Sequence, residues 1–223
     1  MKLVAEFGSA VIRKLKWIAV ANPPLAVVLG YLLYSLLGWM LLSLPVCQQI
    51  RIAPIDTLFT SVSALSTTGL ITVNTPEAFN FLGQLFILVI IQIGAVGYMT
   101  FGSFIILLRR RPLDETRAAV GGTVFSLPEG FDLSQFIRHV VWYSLAVEAA
   151  GAALLYFVFL KAGVPQAGWH ATFHSVSAFG TAGFSTFSNS LEGFTGNLWL
   201  NVIVSLLSLL GAMGFIVVTD LHG

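Results

Sequence analysis

Hydrophobic positions along this chain gather into long blocks, and the charges cluster between them. No charged residue lies between Lys16 and Arg51, between Glu77 and Arg109, or between Glu192 and Asp220. From Arg138 to Lys161 the lone charge is Glu148. Each gap can hold the roughly 20 apolar helical residues that cross a hydrocarbon core of about 30 Å. Four membrane-spanning helices are therefore predicted, at 20–44, 81–108, 137–160 and 197–219. Several exceed the minimum length, which predicts tilt or a break.

Composition agrees with that pattern. Of 223 residues, 57% are hydrophobic and only 9% charged, against about 25% charged in an ordinary soluble domain. The net charge of +1 gives no electrostatic basis for a nucleic-acid partner, whereas membrane lipid is an expected one. The single cysteine, Cys47, has no partner for an internal disulfide and no Cys/His companions for a zinc site. It reads as a small apolar residue near a membrane surface.

Lys and Arg set the orientation. With a cytoplasmic N-terminus, Lys2, Arg13, Lys14, Lys16, Arg109, Arg110, Arg111, Arg117 and Arg138 fall inside, and only Arg51 and Lys161 outside. That asymmetry is the positive-inside pattern. It predicts a multi-pass protein of the cell's inner membrane with both termini cytoplasmic. Ala19-Val-Ala21 resembles a signal-peptide cleavage site, but the apolar run between Lys16 and that site is too short for an h-region. The first span is expected to be retained.

Two hydroxyl-rich runs interrupt the apolar blocks. "FTSVSALSTTGLIT" begins at Phe59 and "FHSVSAFGTAGFST" at Phe173, an offset of 114, and they share eight of fourteen residues. Downstream, Ile93-Gly-Ala-Val-Gly-Tyr98 answers Leu210-Gly-Ala-Met-Gly-Phe215 at an offset of 117, so the intervening loop is longer in the second copy. A period of this size is too long for a solenoid, whose units run about 20–50 residues. Both copies begin and end on the cytoplasmic side, which predicts parallel repeats about an axis along the membrane normal.

Each run follows a short helix-compatible stretch, Pro54–Leu65 and Trp169–Phe179, with Asp56 as the expected cap of the first. Twelve helical residues reach about 18 Å, roughly half the membrane. Such a segment between two spans should dip in from outside and return. Non-helical backbone at that depth must be buried in protein or line a watery cavity. A half-helix ending near the midplane points its negative end inward and favours a cation. The backbone beyond it offers carbonyl oxygens that can replace the water shell of a potassium ion. Gly69 and Gly183 sit where the chain must adopt conformations barred to residues with a Cβ. The hydroxyls of Thr67, Thr68 and Thr181 add ligands or brace the loops. The plainer alternative is that the two glycines merely end helices at surface loops; the duplication with matched flanking spans weighs against it.

These residues resemble the Trk/Ktr/HKT superfamily of potassium transporters, built from four consecutive span–pore-helix–span units around one ion path. "SALSTTGLIT" with the stretch from Leu82 to Phe104 is similar to the first unit, and "FHSVSAFGTAGFST" through "LLGAMGFIVVTDL" to the second. The resemblance implies an all-α membrane protein of two tandem parallel repeats, each a transmembrane helix, a re-entrant pore helix with its filter loop, and a second transmembrane helix. It divides the chain into a first repeat at 1–117, a cytoplasmic linker at 118–134 and a second repeat at 135–223. It places potassium on the backbone around Ser66, Thr67, Thr68 and Gly69, and around Gly180, Thr181, Ala182 and Gly183. Gly69 is similar to the potassium-type pattern; in some sodium-selective plant relatives a serine replaces that first filter glycine. Sodium is a candidate coupling ion. A cytosolic, nucleotide-binding regulatory subunit is the implied partner, and the short N-terminal lead looks more like Ktr than Trk.

Only two of the four units are present, and the sequence stops at Gly223, close behind a span. A partial chain is the favoured expectation; the alternatives are two copies pairing to complete the ring, or an inserted piece that does not conduct.

Other residues carry weaker signals. Glu148, inside a span, is either paired, with Arg138 the nearest candidate, or functional. Gln92 is expected to hydrogen-bond between helices. Gly94/Gly97 and Gly211/Gly214 suggest close helix packing, with a hinge the sharper alternative. His174 aligns with Thr60 and reads as a packing residue of the second short helix rather than a proton sensor. The basic run Arg109–Arg117 anchors topology or faces a partner. An intramembrane hydrolase using Ser175 and His174 is disfavoured, because adjacent helical residues diverge by about 100° and no serine- or zinc-hydrolase motif accompanies them.

Overall fold

The computed structural model describes residues 23–107 and 133–212. Among them the fold is all-helical, with one isolated antiparallel bridge between Gln48 and Phe79 and no strand. The elements are α1 (Pro23–Leu42), α2 (Pro54–Leu65), the single turn α3 (Thr75–Ala78), α4 (Phe81–Leu107), α5 (Leu133–Lys161), α6 (Ala167–Phe179) and α7 (Leu198–Ala212). Two 3-10 turns, Pro45–Cys47 and Glu192–Phe194, lie in the connections. The expected N-terminal anchor, the basic run 109–117, and Gly214 lie outside the described residues. So does the expected linker, apart from 133–134, which are already helical.

The long helices fall where the charge-free blocks predict them. α5 contains Arg138–Lys161, which is long and apolar enough to cross a membrane by itself. Val28–Leu42, Phe81–Val96 and Leu198–Ala212 are shorter apolar helical stretches. Their outer faces expose Leu32, Leu36, Met40, Phe157, Leu206 and Leu209, a side-chain set suited to lipid contact rather than water.

The short helices are set by their first residues. Ala53 is extended and Pro54 occupies the first helical position, where its missing N–H costs nothing. The expected cap Asp56 is instead a first-turn residue, its carboxylate near the positive end of the helix. α6 starts at Ala167, two residues before the predicted Trp169, because Gln166 takes a left-handed conformation (φ 50°) and turns the chain into the helix there.

Two groups of three helices result. α2 packs on α1 and α4, and α6 packs on α5 and α7. In each group a serine of the short helix donates to a backbone carbonyl of the preceding long helix. Ser61 Oγ bonds Ser35 O at 2.8 Å, and Ser175 Oγ bonds Glu148 O at 2.7 Å. The groups meet where α4 packs on α5 and α6. Phe173, Val176, Ala182 and Phe184 join one core with Leu65, Phe79, Ile87 and Ile91. Trp169 packs against Phe81 with its ring tilted 55° and centroids 4.6 Å apart, and it donates its indole N–H to Gln84 Oε1 at 2.8 Å. Cys47 is fully buried, and burial pushes its thiol pKa up, which leaves little reactive thiolate.

Trp169→Phe keeps the ring contact but leaves the Gln84 carbonyl without its donor. The expected cost is about 1–2 kcal/mol, read as a fall of a few degrees in the apparent melting midpoint of the detergent-purified protein. An unchanged midpoint would mean that this bond does not tie the two groups together.

Candidate functional site

Both short helices end in the same way. In α2, Thr67 N–H bonds Ala64 O at 3.2 Å and Thr68 N–H bonds Ser63 O at 3.0 Å. In α6, Thr181 N–H bonds Ala178 O at 3.0 Å and Ala182 N–H bonds Ser177 O at 2.8 Å. This pair of bonds is the Schellman closure, which requires a left-handed residue just past the cap. Here that residue is a threonine each time: Thr67 has φ 50° and Thr181 has φ 52°. A β-branched residue is an outlier in that conformation, and the strain costs on the order of 1–3 kcal/mol at each position. Gly69 (φ 79°) and Gly183 (φ 69°) follow two residues later, so each loop makes two left-handed turns in quick succession.

A second pair of bonds fixes the chain beyond the glycines. Ser63 Oγ donates to Leu70 O and Ser177 Oγ to Phe184 O, each at 2.7 Å. Sequence reasoning did not single out these serines, although both are identical positions of the repeat. Local hydroxyl bonds complete the loops: Ser66 Oγ and Thr68 Oγ1 lie 2.6 Å apart, and Thr181 Oγ1 donates to Gly180 O at 2.7 Å. Gly180 itself has ordinary right-handed backbone, and a Cβ there would lie 3.2 Å from Ile91 Cγ2.

The structure brings the two loops together. A Cβ placed on Gly69 would run into the Ala182 carbonyl oxygen, and one on Gly183 would lie 3.5 Å from Gly69 Cα. Ser66, Thr68, Thr181 and Gly183 are exposed, Thr67 and Gly69 half-buried, and Gly180 and Ala182 buried. No described group donates to the carbonyl oxygens of Ser66, Thr67, Thr68 or Gly69, nor to those of Thr181, Ala182 or Gly183. A cluster of backbone acceptors without donors among the described residues, beside the negative ends of two helices, is chemistry suited to a desolvated monovalent cation.

Glycines of the following helices let the short helices come this close. Gly94 of α4 lies against the carbonyl of Leu65, and Gly211 of α7 against that of Phe179; a Cβ at either would overlap the carbonyl oxygen. Close packing, the first of the two readings of these glycines, is thus what Gly94 and Gly211 do.

The remaining candidates sort clearly. Gln92 bonds between helices as expected, donating to Glu148 Oε1 at 3.0 Å. Glu148 is therefore paired across the two groups by Gln92, while Arg138, the nearest candidate in sequence, is exposed. His174 is buried, with Nδ1 2.7 Å from His170 O and Nε2 2.9 Å from Ser185 Oγ. Ser175 is buried and bonded to Glu148 O, away from His174. That removes the geometry the hydrolase reading needed.

Comparison with known proteins gives the family. The profile of the TrkH family, described as "Cation transport protein", matches residues 28–222. Ktr system potassium uptake protein B of Bacillus subtilis is 31% identical over 211 residues, covering 92% of this chain and 46% of that protein. Its namesake in Vibrio alginolyticus is 32% identical over 208 residues, covering 91% and 45%. Potassium/sodium uptake protein NtpJ of Enterococcus hirae is 30% identical over 203 residues, covering 90% and 45%. The chain belongs to the TrkH family of cation transport proteins; it is a membrane protein and not an enzyme. It spans about half the length of the curated relatives it matches.

Gly94→Val and Gly211→Val should each push a short helix off its neighbour. We expect at least a fivefold loss of folded protein in membranes for either, by fluorescence-detected size exclusion, and little loss for Gly193→Val, where a Cβ meets nothing. Normal yields of both α4 and α7 variants would contradict the close backbone contact.

Proposed function

We propose that this chain forms two of the units surrounding a potassium pathway across the cell's inner membrane. α2 and α6 act as re-entrant pore helices, and Ser66–Gly69 with Gly180–Gly183 supply backbone carbonyl oxygens to the ion. The observation that carries this is the meeting of the loops at Gly69 and Gly183, residues 114 apart in sequence, each just past a helix C-terminus. The same closing bonds in both short helices support a tandem repeat, with 1–117 as the first unit, 118–134 as a cytoplasmic linker and 135–223 as the second. The Lys/Arg distribution supports cytoplasmic termini.

Family membership supports the choice of cation, and the relatives' names support potassium, with sodium a second transported or coupling ion. Two loops enclose only part of a ring. Two further units, on a longer form of this protein or on a second copy, complete it. A cytosolic nucleotide-binding subunit regulates the assembly, as the family resemblance implies.

Rubidium uptake in cells lacking their own potassium uptake tests this reading. Expressed alone, residues 1–223 should give uptake if a second copy completes the ring; if a longer form does, they should give none, and co-expression of the two missing units should restore it. Gly69→Arg should then abolish uptake at unchanged membrane abundance, because it puts a long cation against the Ala182 carbonyl. Uptake by the completed assembly that survives Gly69→Arg would overturn the proposed path.

A further inference from the structure

The two loops leave their glycines under different restraint. Beyond Gly183, Phe184 and Thr186 are buried. His170 Nδ1 lies 2.6 Å from Thr186 Oγ1. His174 Nδ1 faces a backbone carbonyl and so carries the proton, which leaves Nε2 to accept the Ser185 hydroxyl. Ser185 Oγ in turn accepts the Phe187 N–H at 3.0 Å. The Phe187 ring lies across both imidazoles, stacked on His170 at 4.5 Å and on His174 at 4.9 Å. Four consecutive residues are thus fastened to α6.

The first loop has no such clamp. At the same offset of 114, His170 and His174 correspond to Asp56 and Thr60, and Ser185, Thr186 and Phe187 to Ile71, Thr72 and Val73. Thr60 Oγ1 bonds its own helix at Asp56 O, and Ile71 and Thr72 are exposed. Beyond Gly69, Ser63 holds Leu70 O and Val73 packs against the core, and the next side-chain tie is Asn74 Nδ2 to Ser188 O at 3.1 Å; no described bond fastens Ile71 or Thr72 to α2.

We propose that His170 and His174 are positioning residues that pin the arm Phe184–Phe187, making the second loop the stiff wall of the ion path while the first loop yields. A wall with fixed oxygen spacing penalises an ion that is too small for it, so this clamp sets the preference for potassium or rubidium over sodium. The proposal rests on the transport reading above, and the unequal clamping is the part that stands apart from it.

The test uses the complete transporter in potassium-uptake-deficient cells, with rubidium as the tracer and sodium as competitor. His174→Leu should raise KM for rubidium about five- to tenfold and lower the preference over sodium by a similar factor, as for loss of one or two hydrogen bonds. Vmax per inserted protein should stay within about twofold. Ser185→Ala, which leaves the buried histidine in place, should shift KM about threefold, and the double variant no further than His174→Leu alone. His174→Gln, able to bond Ser185, and Thr60→Val in the first unit should stay within about twofold. If His174→Leu inserts poorly, Ser185→Ala carries the test. Wild-type KM and preference in the inserted variants would overturn the proposal while leaving transport standing. Absence of rubidium uptake by the wild type would overturn the transport reading and the discrimination role with it. Amide hydrogen exchange reads the clamp without transport. Residues 184–187 should exchange at least tenfold more slowly than 70–73, and His174→Leu should remove the difference; equal exchange of the two arms in the wild type would sink the clamp.

Discussion

The carbonyl of the last residue in each short helix, Leu65 and Phe179, rests against a glycine Cα of a neighbouring long helix, Gly94 and Gly211. That contact leaves no room for a side chain, so it fixes the depth and direction at which α2 and α6 stop. The loops that follow can then meet at Gly69 and Gly183. The chain there is closed by the Schellman bonds and the two serine hydroxyls, so the remaining carbonyl oxygens lie in a defined loop rather than a frayed end. In an apolar surrounding, an unpaired backbone group costs several kcal/mol. Acceptors with no donor among the described residues are tolerable where a cation or water can reach them.

Much of this was legible in the residues. Charge-free blocks located the long helices because a charge inside hydrocarbon is expensive. α2 matches its predicted bounds because Pro54 starts it and the small, hydroxyl-rich run ends it. The duplication pointed to the two loops, and the fold brings them into contact at Gly69, Ala182 and Gly183. The unusual backbone was half visible. Glycine signals a positive φ, but Thr67 and Thr181 give no such signal, since a β-branched residue is the last choice for a left-handed turn.

What escaped the sequence was long-range pairing. Glu148 lies ten residues from Arg138, the nearest charge in sequence, yet the fold brings Gln92 to it from another helix. The indole of Trp169 on Gln84 and the imidazole of His170 on Thr186 have no local periodic signature. The cap assigned to Asp56 failed because Ala53 and Pro54 had already begun the helix. Such contacts depend on which helices pack together, and one sequence does not disclose that.

The account is tested most directly by ion protection of the two loops from chemical labelling. Thr68→Cys and Thr181→Cys put single reactive thiols at exposed positions of the two loops, and the buried Cys47 contributes little background. In the complete transporter, potassium should slow modification of both thiols by a small charged reagent, with one shared concentration dependence. Protection of one thiol alone, or modification indifferent to potassium, would contradict a common ion site between the loops.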